Sequence, residues 1–212
     1  MQKMIRRFLI LVQLIGTAVI AQDTVEFVPY HGGMDLKDGI YLDFNAFGSN
    51  RPSIPNEKLR NSEGMAIPDI RQVEGKIFWQ PDTGERRSIR MVDVWGFCQN
   101  DAVYVSAGNG FYRIGLLGML SHMIYEQTYR DLDPYPYSRG TIDRTFVSQQ
   151  MIDMNTGEFL PFNAAGMDRA LQHDPMLLEE FRAMRKKERN SDEVLFKFFR
   201  LYNDRHPLEF PK

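Results

Sequence analysis

"VWGFCQNDAVYVSAGNGFYRIGLLGMLSHM" runs from Val94 to Met123, and its reading decides the fold. Trp95, Phe97, Val103, Val105, Phe111 and Ile114 fall where strand residues would. Turn signals at Asn100–Asp101 and Gly108–Gly110 divide the run into three strands, so a three-strand meander is expected. The same stretch holds Cys98, the only cysteine, and His122, one of four histidines. A thiolate nucleophile needs a nearby imidazole to lower its pKa and carry protons, and residues on neighbouring strands can meet. A cysteine packed in a sheet is the simpler reading, because Cys is among the residue types most often buried. No nucleophile elbow and no cysteine-protease signature surrounds Cys98. The strand reading is therefore the expectation, and a hydrolase or transferase using Cys98 with His122 is its rival.

Outward from this stretch, the signals up to residue 162 are those of strands. "VEFV" (25–28) is short and alternating, and "GIYLDF" (39–44) is a β-type run. In "NAFGSNRP" (45–52), Asp43 or Asn45 could cap a single helical turn that Pro52 ends. Residues 50–68 are rich in Pro, Asn, Ser and Gly and read as loop. "KIFWQ" and "RSIRMVDVWGF" flank the turn "PDTG", and "MIDM" and "EFLPF" flank "NTG". Hairpins without strand–helix alternation argue for a largely antiparallel sheet.

The last fifty residues change period. Asp174–Pro175 is an N-cap followed by a proline at the first helical position, and Leu177, Leu178, Phe181 and Met184 recur at helical spacing. Ser191 opens a second helix with Asp192 and Glu193 in its first turn. Its stripe is Val194, Leu195, Phe198, Leu201 and Tyr202, and Pro207 stops it. The expected class is α+β: an antiparallel sheet packed by two C-terminal amphipathic helices, β-rich over 22–162 and helical over 163–212, in one domain.

The N-terminus reads as a leader. Lys3, Arg6 and Arg7 form a basic region, an apolar run follows from Phe8 to Ile20, and Val19 and Ala21 occupy the −3 and −1 positions of a cleavage site. Cleavage before Gln22 removes residues 1–21 and no membrane span is expected in what remains. No cysteine near the cut could carry a lipid. The expectation is a periplasmic or extracellular, non-lipidated protein. The mature chain has 23 basic and 28 acidic residues, a net charge of −5, which argues against a nucleic-acid partner. A lone cysteine forms no internal disulfide, and a chain of this size can rely on its core.

Motifs of specific chemistry are scarce. His31, His122, His173 and His206 have no partner at helical spacing, and HExxH, CxxC and the calcium-loop pattern are missing, so no metal or cofactor is expected. Asp131 and Asp133 in "DLDPYPYSRG" read as a solvated turn. GxSxG and phosphate-loop patterns do not occur, and "RAMRKKER" reads as a solvated helix face. Tyr125, Tyr129, Tyr135 and Tyr137 cluster around the prolines at 134 and 136. They could form a recognition surface for glycan or protein, or pin a loop to the sheet.

"GIYLDFNAFGSNRPS", "WGFC" and "LYNDRHPLEF" together resemble a group of uncharacterised exported proteins of the Bacteroidota. The likeness spans most of the mature chain. It implies a Gram-negative envelope location and carries over no catalytic residue. The leading functional expectation is a non-enzymatic envelope module that binds a protein or glycan partner. The alternatives are the Cys98/His122 enzyme and an accessory subunit whose C-terminal helices dock on an envelope complex.

Overall fold

The computed structural model describes residues 25–212 apart from 82–83, 109 and 133–139. The proposed leader, Tyr135 and Tyr137 therefore lie outside the described residues. In chain order the elements are β1 (Phe27–Pro29), β2 (Gly39–Tyr41), α1 (Phe44–Gly48), β3 (Ile54–Pro55), β4 (Leu59–Arg60), β5 (Lys76–Trp79), β6 (Arg87–Arg90), β7 (Gly96–Gln99), β8 (Ala102–Ala107), β9 (Gly110–Leu116), β10 (Leu120–Leu132), β11 (Thr141–Asp153), β12 (Glu158–Pro161), α2 (Ala164–Ala170), α3 (Pro175–Ala183), α4 (Asp192–Arg205) and β13 (Glu209–Pro211). The fold is α+β, with every strand pairing antiparallel.

The meander is present. Cys98 on β7 pairs with Val103 on β8, and Val105 pairs with Tyr112 on β9. Asn100 and Asp101 both take positive φ, 53° and 59°, which is the twist a two-residue hairpin turn requires. β7 to β9 form the middle of an eight-stranded sheet ordered β12-β11-β10-β9-β8-β7-β2-β3. The hairpins around "PDTG" and "NTG" are also present, as β5–β6 and β11–β12. The first of them leaves the main sheet and joins β4 in a separate three-stranded one.

Strand alternation divides the core into three parts. On one face of the main sheet Tyr41, Cys98, Val103, Val105, Met123 and Ile152 pack with Phe47 of α1 and Phe210 of β13. On the opposite face, Ile40 and Phe97 meet Ile77, Leu59 and Ile70 of the three-stranded sheet and its flanking turn. Farther along that face, Leu120, Met151 and Leu160 receive Phe181 of α3 and Leu195, Phe198, Phe199 and Tyr202 of α4. Side chains of this size contribute about 1.5–3 kcal/mol each on burial, so the helices are part of the core.

The helix ends follow their capping residues. Asp43 accepts from Ala46 N at 2.9 Å, Asp174 from Leu177 N at 3.1 Å, and Ser191 from Val194 N at 3.4 Å. Asn203 binds α4 to the sheet: its amide takes the N–H of Leu120 at 2.8 Å and donates to that residue's carbonyl at 2.9 Å.

Several elements differ from expectation. A third helix, α2, precedes the two read from periodicity; Asn163 caps it by accepting from Ala165 N and Gly166 N. Gly166 lies against the carbonyl of Pro161, where a Cβ has no room, so the turn from β12 into α2 needs glycine. The last helix stops before Pro207 as expected, but a strand follows it. Residues 209–211 form β13, which pairs with β1 and closes the two ends of the described chain over Phe47. Within the stretch expected to be loop, β3 and β4 make brief pairings with β2 and β5. The largest departure is length: β10 and β11 each run thirteen residues, far beyond the strands on either side.

Candidate functional site

Cys98 and His122 do not meet. Cys98 is on β7 and His122 on β10, with two strands between them. Three inter-strand spacings amount to about 14 Å along the sheet. They also face opposite ways: Cys98 shares its cluster with Met123, whereas His122, the preceding residue on β10, turns toward the helices. The thiol is fully buried and lies 3.8 Å from the carbonyl of Leu36. Burial, reinforced by the charge of Asp38, pushes its pKa up to about 12, the opposite of what a nucleophile requires.

His122 sits in an aromatic box, with the rings of Phe162 and Phe196 centred 4.8 and 5.2 Å away and Phe199 at 6.2 Å. Its Nε2 is 2.9 Å from Oε1 of Gln149. Burial lowers its pKa below the ordinary histidine value, and the hydrogen bond to Gln149 opposes that only in part. This is a packed histidine.

The other histidines have local roles. His206 follows α4, and its Nε2 is 2.9 Å from Oδ2 of the buried Asp174; Arg205 reaches the same oxygen at 3.0 Å. Asp174 thus caps α3 and also anchors the end of α4, a second role its sequence context does not reveal. Burial alone would raise its pKa, but the hydrogen bonds from His206 and Leu177 N, with the Arg205 charge, hold it below the usual carboxylate range. Among the described residues no cluster of His, Cys, Asp or Glu could hold a metal ion. A cleft of about 630 Å³ opens beside Asp35, Lys37, Asp38, Arg51 and Asp101. Two of its carboxylates are spent on structure: Asp38 accepts from Asn100 N and Asp101 from Leu36 N.

What stands out instead is the hairpin β10–β11. Its inner part belongs to the sheet, and its outer part, from Glu126 and Val147 toward Leu132 and Thr141, projects with mostly exposed residues on both strands. Strand alternation places Tyr129 and Phe146 on one face, 53% and 51% exposed, and Ile124 and Val147 on the other, 55% and 67% exposed. The Tyr129 and Phe146 rings are 6.1 Å apart. A polar ladder holds Tyr129 in place: its hydroxyl donates to Oε1 of Gln127 at 2.6 Å, and Nε2 of Gln127 donates to the hydroxyl of Tyr125 at 2.9 Å. Tyr125 itself is buried, its ring 5.5 Å from that of Tyr112. Of the two tyrosines described, then, Tyr129 presents its ring to solvent and Tyr125 supports it. Phe146, Ile124 and Val147 complete the exposed set and were not singled out from sequence. The signal was there, as "TFV" in an alternating run, but without the pairing partner it could not be distinguished from a buried strand.

No family model, no curated protein and no solved structure shows a significant match to this chain. No helix among the described residues is long and apolar enough to cross a membrane.

Proposed function

We propose that this chain is an exported, non-enzymatic module of the cell envelope that binds a protein or glycan partner through the projecting hairpin. The observation that carries the reading is the exposed Tyr129–Phe146 pair, held in place by the Gln127–Tyr125 ladder on an arm that contributes little to the core. Aromatic rings at a fixed spacing supply large contact area at low entropic cost to protein surfaces and to sugar faces. Export rests on the leader pattern in residues 1–21. The cysteine-enzyme alternative loses its motive with Cys98 and His122 on opposite faces. The accessory-subunit alternative loses its docking stripe, because Leu195, Phe198 and Tyr202 already pack on the chain's own sheet.

The test compares the mature protein with a Tyr129→Ala/Phe146→Ala variant, using immobilised protein against envelope extracts and a glycan panel. The reading expects a partner retained by the parent and lost by the variant at unchanged fold. A partner retained equally by both, or a hydrolytic activity that survives the double substitution and is abolished by Cys98→Ala, would sink it.

A further inference from the structure

The outer edge of the hairpin is built to receive a second strand. β11 pairs with β10 over its full length, from Leu120↔Asp153 to Leu132↔Thr141. On its other side β12 covers only Gln150 to Asp153. Residues 141–149 therefore have no strand partner on that side among the described residues.

One hydrogen bond fixes how this edge faces. Phe162 N donates to the carbonyl of Gln149 at 3.2 Å, so Gln149 turns its backbone groups outward. A strand residue points its N–H and C=O to the same side, and the side alternates along the chain. The register with β10 is unbroken, so Thr141, Asp143, Thr145 and Val147 also offer N–H and C=O to the open edge. The usual guards of an exposed edge are missing. There is no proline and no lysine from 141 to 149. The two charges are answered within the hairpin: Asp143 by Arg130 at 3.0 Å and Arg144 by Asp131 at 3.7 Å.

We propose that two copies of this chain pair antiparallel through these edges, about a two-fold axis beside Thr145. The register follows from what each axis would oppose. An axis at Thr145 uses the open edge as far as Ser148 and stops short of Gln149, whose carbonyl Phe162 N already takes. It sets Thr145 against Thr145 of the second copy, Arg144 against Phe146, Asp143 against Val147 and Ile142 against Ser148, and leaves Gln149 to Phe162. Threonine pairs suit an exposed sheet, and a guanidinium beside a phenyl ring is attractive. An axis at Arg144 or Asp143 places that charge against its own copy, which is repulsive. An axis at Phe146 or beyond drives the second strand into Pro161, which pairs with Gln150 on the same edge. The product is a four-stranded arm with Tyr129 and Phe146 of both copies on one face. The pairing goes beyond the proposed function and does not depend on what those rings bind.

The experiment is sedimentation velocity on the mature chain from low micromolar to near-millimolar concentration, with two variants. Thr145→Pro removes an N–H that faces the open edge and spares those bonded to β10. Thr145→Cys places two thiols opposite one another, about 5.5 Å apart at Cα, within disulfide reach. The proposal expects a concentration-dependent dimer, weakened at least about tenfold by Thr145→Pro, a step of about 1.4 kcal/mol. It also expects a disulfide-linked dimer from Thr145→Cys under mild oxidation and none from Thr128→Cys on the inner strand. A monomer at every concentration overturns it. So does a dimer that forms as well with Thr145→Pro, or one in which Thr145→Cys gives no cross-link.

Discussion

The buried thiol makes a quantitative prediction about reactivity. Cys98 has its pKa pushed from an ordinary 9.0 up to about 12 by burial and by Asp38. Only the thiolate attacks a thiol reagent, so a rise of three units cuts the reactive fraction at neutral pH about a thousandfold. A more basic thiolate is a better nucleophile, with a Brønsted slope of about 0.4–0.5, which returns about twentyfold. Native protein should therefore label at least about fiftyfold more slowly than the same chain in denaturant, before any further slowing from lack of access. The assay is a stopped reaction with a chromogenic disulfide at pH 7.5, followed with and without denaturant. Cys98→Ser places a hydroxyl where the thiol lies against the carbonyl of Leu36 among apolar neighbours, and should cost about 1–3 kcal/mol. Cys98→Ala should be milder. Native and denatured rates within a factor of a few would refute the packing argument, and native labelling suppressed by His122→Ala would restore the enzyme reading.

The remaining predictions concern stability. Phe210→Ala empties a fully buried site whose ring meets Phe47 at 5.5 Å and Tyr30 at 6.2 Å; the expected loss is about 3–5 kcal/mol in a urea titration, and a loss below 1 kcal/mol would mean that β13 is an appendage. Ending the chain before Ser191 removes Leu195, Phe198, Phe199 and Tyr202 at about 1.5–3 kcal/mol each, comparable with a whole stability of about 5–15 kcal/mol; a truncated chain that remains monomeric with an unchanged Tm would contradict this. His122 titrates below its ordinary value of 6.5 in the fold, so the unfolded chain takes up the proton first as pH falls. Its contribution is therefore complete above about pH 7 and is lost as pH drops through 6.5 toward the folded value. Stability measured from pH 8 to 5 should fall more steeply for the parent than for His122→Gln, and parallel curves would exclude the effect.

How much was readable in sequence depended on the range of the signal. Asp174–Pro175 and Ser191 are caps, decided within four residues, and both helices begin where these place them. The turn at Asn100–Asp101 is equally local, and with it the meander and the placement of Cys98 in a strand were legible. β13 was not, because three residues ending on a proline carry no periodicity; they become a strand only because β1 lies beside them. α2 was missed because seven residues containing a glycine give little amphipathic pattern, and its anchor is the close approach of Gly166 to Pro161. The separation of Cys98 from His122 depends on strand order and on the face each residue takes. A bulge between β9 and β10 at His122 and Met123 shifts the register there, which no local pattern announces.

The proposed docking role of β10 and β11 predicts a measurable separation of folding from binding. Core residues should govern stability and arm residues should not. Tyr129 and Phe146 are half exposed, and their cross-strand contact at 6.1 Å is worth about 0.2–1 kcal/mol. For a chain of this length, 1 kcal/mol moves Tm by about 2–4 °C, so the double alanine variant should melt within about 4 °C of the parent. Phe210→Ala, by the same conversion, should melt about 6–20 °C lower. Apolar residues that do so little for the fold expose surface that favours aggregation, a cost that a partner covering them would offset. The two variants should thus split cleanly in calorimetry and in binding: one unstable and still binding at low temperature, the other stable and inert. If the arm variant melted as low as Phe210→Ala, the arm would be part of the core, and the case for it as a docking element would fall with that result.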